Sequence, residues 1–121
     1  MNSPKIVVKG KPIHIMDGDT MKLEFTFEVD VRLLGGNTPE MRAKDKDERV
    51  RALAAKREVY GMCYREKEGQ WAEPKDVTLE IPLTSSNLSD LFTFGRILGR
   101  VFVDDVDIMD NLIEKGLAKK R

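Results

Sequence analysis

M-K-L-E-F-T-F, residues 21–27, alternates at every step. Met21, Leu23, Phe25 and Phe27 share one face, and Lys22, Glu24 and Thr26 share the other. That period of two predicts a strand with one buried face. The parity continues through Val29, Val31 and Leu33, which turns Arg32 away from the core. Upstream, Ile6 and Val8 alternate, as do Ile13 and Ile15, but the parity changes between the pairs. Gly10-Lys11-Pro12 lies at the change and predicts a bulge or break.

Downstream, Met41 to about Gly69 is rich in Ala, Lys, Arg and Glu and reads as helix. Its apolar stripe is Val50, Leu53, Ala54, Val59, Met62 and Cys63, with Gly61 an interruption. Pro74 ends the loop that follows. Val77, Leu79, Ile81 and Leu83 predict a fourth strand, and Thr84 to Asp90 a polar loop. Ile97, Val101 and Val103 predict a fifth strand, which sets Arg96 on its opposite face. Asp107 suits the N-cap of a last helix, with Ile108, Met109, Leu112 and Ile113 as its buried stripe and Gly116 at C′. Five short strands are too few for a sandwich. Closing them into a barrel removes the exposed edges. The expected fold is therefore mainly β with helices: a five-stranded OB-type barrel and two or three helices, in a single domain over residues 1–121.

The bulk composition bounds the function. The chain has 121 residues, 40% hydrophobic and 35% charged, with a formal net charge of zero. Dedicated nucleic-acid binders carry a basic surplus, so any such contact is expected in a local cleft. No apolar run approaches the ~18 residues of a membrane span. Met1 to Lys11 lacks the apolar core of a signal peptide. The single cysteine, Cys63, excludes an internal disulfide and a multi-cysteine zinc site. The expectation is a cytoplasmic monomer with no membrane partner.

Two segments gather chemistry: D-G-D-T at 17–20 and V-R-L-L-G-G-N-T-P-E at 31–40. Taken alone, the first is a turn and an isolated Arg32 or Arg96 is a solvated charge. Together they offer more. Neighbouring strands lie about 4.8 Å apart, so one strand's end can meet the exit of its partner. Asp19, Asn37 and Glu40 then become oxygen ligands or bases beside a guanidinium. Oxygen-only ligation suits Ca²⁺ or Mg²⁺ and not zinc. A guanidinium fork matches phosphate oxygens. Cation, carboxylate and arginine pair make a workable phosphodiesterase site.

D-G-D-T at 17–20, V-R-L-L-G-x-x-T-P-E at 31–40, F-G-R-I-L-G-R-V-F-V at 94–103 and L-I-E-K-G-L-A at 112–118 occur in the order and roughly the spacing of one known family. The chain resembles the staphylococcal nuclease (thermonuclease) family over about residues 12–118. The resemblance implies an OB-fold, Ca²⁺-dependent nuclease acting on single-stranded or locally open DNA and RNA. It implies Asp19 as a metal carboxylate and Thr38 as the source of a metal-binding backbone carbonyl. Glu40 stands where the family has the carboxylate assigned to the attacking water. Arg32 and Arg96 match the two phosphate-clamping arginines, and Asp17 a supporting acid. The 41–72 segment matches poorly and looks enlarged.

The departures are specific. Asn37 replaces an aspartate that binds the metal directly. An amide oxygen still coordinates Ca²⁺, with one negative charge fewer. Phe94 stands where the family often has tyrosine. No aromatic residue follows G-L-A; the sequence there is Lys119, Lys120, Arg121, expected to be a frayed, solvated tail, with contact to phosphate as the alternative. His14 on an outer strand face, Cys63 as a packing residue and Trp71 in a loop are expected to be structural. These features leave two function classes open: a nuclease weakened at Asn37, or a catalytically lapsed domain that binds nucleic acid or a protein. A third possibility is that 41–72 forms a partner or dimer surface.

Overall fold

The computed structural model describes residues 8–26, 28–93 and 95–121. Ile6, Phe27 and Phe94, named above, lie outside the described residues. In chain order the elements are β1 (Gly10–Asp17), β2 (Thr20–Phe25), β3 (Val31–Leu33), β4 (Gly36–Asn37), α1 (Lys46–Cys63), β5 (Tyr64–Lys67), β6 (Gln70–Pro74), β7 (Thr78–Glu80), α2 (Ser85–Thr93), β8 (Ile97–Val103), β9 (Val106–Asp107), α3 (Ile108–Glu114) and β10 (Lys119–Lys120). The fold is mixed α/β. Among the described residues its strands lie in separate sheets: β1–β2, β4–β10, β5–β6, and β3–β8–β7 with β9 added to β8. The expected run of five strands is thus broken into more and shorter pieces. No helix among the described residues is long and apolar enough to cross a membrane.

The chain divides into two compact units, Met1–Asp30 with Leu83–Ile97, and Val31–Pro82 with Leu98–Arg121. In the first, β1 and β2 form an antiparallel hairpin that pairs Gly10 with Phe25 and Asp17 with Thr20. Its register shifts between Pro12 and His14 and again between Ile15 and Asp17. The expected irregularity near Pro12 is present, one step later than the parity change suggested. The expected buried face is not: Met21, Leu23 and Phe25 are exposed, as are Ile13 and Ile15. Among the described residues the two strands pair only with each other, and a two-stranded ribbon is marginal without a further layer on its apolar side.

Residues 84–90, expected as a polar loop, instead open α2. The Asn87 amide donates to the Thr84 hydroxyl at 3.1 Å, and the Leu88 amide to the Thr84 carbonyl at 3.0 Å. Thr84 is therefore the N-cap that the composition concealed. Ile97 ends this unit, fully buried, its amide donating to the Asp30 carbonyl at 2.9 Å.

The second unit holds the main core: Val103, Ile108, Met109 and Leu112, with Leu33, Val59, Met62, Cys63 and Val101 packed against them. α3 forms as its sequence predicts. Asp107 accepts the Asp110 amide at 3.0 Å, and its other oxygen accepts from Arg100 at 3.0 Å. At the far end Leu117 N–H donates to the Leu112 carbonyl and Gly116 N–H to the Ile113 carbonyl. With Gly116 at φ +73°, this is a Schellman cap.

α1 is shorter than expected, and its expected stripe faces the core only at Val59, Met62 and Cys63. It begins at Lys46, where Asp45 caps by accepting the Asp47 amide, and it buries Ala52 and Ala55. Val50, Leu53 and Ala54 of the expected stripe are exposed. Small side chains set the phase because they allow close approach to the core. The helix ends at Cys63, and 64–74 is a hairpin. Glu68 (φ 54°) and Gly69 (φ 82°) both take positive φ, the two-residue turn whose twist matches paired strands. Trp71 consequently lies on β6, paired with Glu66, and not in a loop. The fourth strand contracts to Thr78–Glu80, and Leu83 is exposed.

Candidate functional site

The residues singled out from sequence fall in both units. Asp17, Asp19 and Arg96 belong to the first; Arg32, Asn37, Thr38 and Glu40 belong to the second.

At the tip of the β1–β2 hairpin, Asp17 ends β1 and Asp19 lies in the turn. The Thr20 hydroxyl donates to Asp19 Oδ1 at 3.2 Å. The neighbouring Asp17 carboxyl, then Thr20, then the backbone hold the Asp19 carboxyl below its ordinary range. Asp19 therefore stays ionised in mild acid. Arg96 follows α2, exposed, one residue before buried Ile97.

In the second unit, Arg32 lies at the centre of β3, half-buried. The turn through Gly35, at φ +100°, leads from β3 into β4. Arg32 Nη2 then donates to Asn37 Oδ1 at 3.2 Å. Thr38 and Pro39 lead to Glu40, whose backbone N–H donates to the Glu48 carboxylate at 3.4 Å. The strand exit is thus tied to α1 through Glu48, leaving the Glu40 side chain exposed.

A pocket of about 240 Å³ lies beside this exit. Asn37, Thr38 and Pro39 line one side, Glu48 and Arg51 of α1 another, and Gly116 to Lys119 the third. The sequence reading missed Glu48 and Arg51 of this lining. The two stand one helical turn apart, which was the available signal.

Lys119 reaches the pocket because the expected tail, though its side chains are exposed, is paired and not frayed. β10 pairs antiparallel with β4, Lys119 opposite Asn37 and Lys120 opposite Gly36. The Arg121 amide continues the pairing to the Gly35 carbonyl at 3.1 Å. Gly36 makes this approach possible. A Cβ there would meet Met109 Sδ at 2.7 Å and the Lys119 carbonyl oxygen at 2.8 Å.

Within the second unit the donor set suits a hard cation in kind, since Asn37, Thr38 and Glu40 offer only oxygen. In number it is sparse: Ca²⁺ takes about 6–8 oxygens. Among the described residues no three His, Cys, Asp or Glu side chains converge. A cation at Asn37 also has to compete with Arg32 for Oδ1.

Cys63 is half-buried against the core, and burial pushes its thiol up, with Lys75 opposing weakly. It carries no sign of an activated nucleophile. In comparison with known proteins, no family model matches the chain and no curated protein matches its sequence.

Proposed function

We propose that the chain is a metal-dependent phosphodiesterase, a nuclease acting on single-stranded or locally open DNA or RNA. The observation that carries this reading is the Arg32–Asn37 hydrogen bond at 3.2 Å. It orients a strand-borne guanidinium at the exit that also carries Thr38 and Glu40. In this reading Arg32 and Arg96 hold the phosphoryl oxygens and offset the charge that accumulates in the transition state. Glu40 takes the proton of the attacking water, an exposed carboxylate with no ion pair of its own among the described residues. Asp19, Asn37 and Thr38 would hold one Ca²⁺, which would supply electrophilic polarisation of the phosphate. Asp17 is the supporting acid beside Asp19. The fold that goes with this reading is the five-stranded OB-type barrel of the staphylococcal nuclease family.

Cleavage of denatured DNA and of RNA across a Ca²⁺ titration, with and without EDTA, tests it. Glu40→Gln is expected to lower the rate about 10²- to 10⁴-fold, and Arg32→Ala or Arg96→Ala about 10²- to 10³-fold. Unchanged rates in all three variants overturn the assignment.

One observation favours a second reading. Asn37 Oδ1 is a neutral ligand already engaged by Arg32. A lapsed domain that keeps the phosphate contact and has lost cleavage accommodates that directly. Absence of metal-stimulated cleavage in the parent, with activity appearing in Asn37→Asp, identifies it.

A further inference from the structure

The β4–β10 pairing carries basic side chains into two adjacent pockets of the second unit. Lys119 lines the pocket at Asn37. Arg121 lines another, of about 200 Å³, together with Arg32 and the Gly35-Gly36 backbone. Residues two apart on a strand share a face and lie ~6.6 Å apart. Lys119 and Arg121 are so related, and Lys120, between them, lines neither pocket. Among the described residues, neither Lys119 nor Arg121 has an ion-pair partner. Arg121 is nevertheless fixed at its backbone by the bond to Gly35.

We infer that β10 and Arg121 form a phosphate track, in which Lys119 and Arg121 bind the phosphates neighbouring the one held by Arg32 on an extended single strand. The inference rests on the phosphodiester reading of Arg32. The track binds the backbone alone and reads no base. It supplies strand affinity in a sequence that has no aromatic side chain between Ala118 and Arg121.

Fluorescence anisotropy of a labelled oligothymidylate at several salt concentrations tests the track, with EDTA present to prevent cleavage. Each phosphate contact on a single strand contributes about 0.7 to the slope of log affinity against log salt. Arg121→Ala and Lys119→Ala are each expected to reduce the slope by about 0.7 and the affinity at 0.1 M salt about fivefold. Lys120→Ala is expected to leave both near the parent's values. Thermal melting of each variant confirms that the fold is kept.

Inorganic pyrophosphate, followed by calorimetry, separates the two ideas. Strand binding with unchanged slopes in Arg121→Ala and Lys119→Ala overturns the track and leaves the phosphodiester reading standing. Pyrophosphate binding that needs Arg121, without strand binding by the parent, keeps the anion pocket and overturns the strand. Binding of neither probe overturns both.

Discussion

Arg32 and Asn37, five residues apart, meet in a 3.2 Å hydrogen bond across the Gly35-Gly36 turn. The acceptor is a neutral amide. The guanidinium is therefore oriented without losing its charge, and it still presents a full cation to a phosphate. An aspartate here would bind the same nitrogen more strongly and offset part of that charge.

Asn37→Asp is accordingly expected to act in opposite directions with and without metal. In EDTA, oligonucleotide affinity falls, because a carboxylate now faces the Arg32 partner of the phosphate. With Ca²⁺, metal affinity rises about 5- to 150-fold, corresponding to about 1–3 kcal/mol. Calorimetric Ca²⁺ titration of parent and variant measures the rise. Equal Ca²⁺ affinity in both removes Asn37 from the metal site.

Gly36→Ala tests the tie between β4 and β10. The added methyl overlaps Met109 Sδ and the Lys119 carbonyl. Overpacking of this kind costs about 1–3 kcal/mol, read as a lower urea midpoint. Release of β10 should accompany it, as faster amide exchange at Arg121. A variant as stable as the parent would mean that the close approach is easily relieved.

Glu58 joins α1 to α3. Its carboxylate accepts from Lys115 and, at 3.1 Å, from Asn111. Lys115 first and Asn111 second hold the carboxyl below its ordinary range. A depressed carboxylate stabilises fully above its unfolded pKa, about 4.3, and that contribution is lost as the pH falls below it. Lys115 is half-exposed, so Glu58→Gln is expected to cost only about 0.5–1 kcal/mol at pH 7. As the pH falls below that value, the difference between parent and variant should shrink. A difference that grows in acid would contradict the sign of the shift.

Cys63 should react slowly. Burial raises its pKa, so little thiolate exists at pH 7 and access is partial. Ellman's reagent at pH 7 is expected to label it much more slowly in the folded protein than in urea. Equal rates would show an open thiol.

The C-terminal part of the fold was legible because its signals are local. Asp107, the Ile108-Met109-Leu112 spacing and Gly116 each fix one end or one face of α3, and all three act there. Residues 64–74 were not legible from composition. Tyr64 to Lys67 is as charged as a helix surface, and only Glu68-Gly69 at positive φ turns it into a hairpin. Thr84 was overlooked because its neighbours are polar, although threonine is among the favoured N-cap residues. The hairpin Gly10–Phe25 has the alternation of a buried strand, yet alternation specifies which side chains share a face, not what covers them. For the site, the motif residues were visible as types. The Arg32–Asn37 bond and the arrival of Lys119 depend on contacts 5 and 82 residues apart, which no local pattern encodes.

The reversal at Gly116 has a dynamic consequence. Leu117 is bonded to the end of α3, and four residues later Arg121 is bonded to Gly35. Fraying of the helix end and opening of the segment that presents Asn37 are thereby joined in one cooperative event. Their amides should share a single opening free energy. A ligand that orders Asn37 would then be felt as slower exchange at Leu117, at the end of α3.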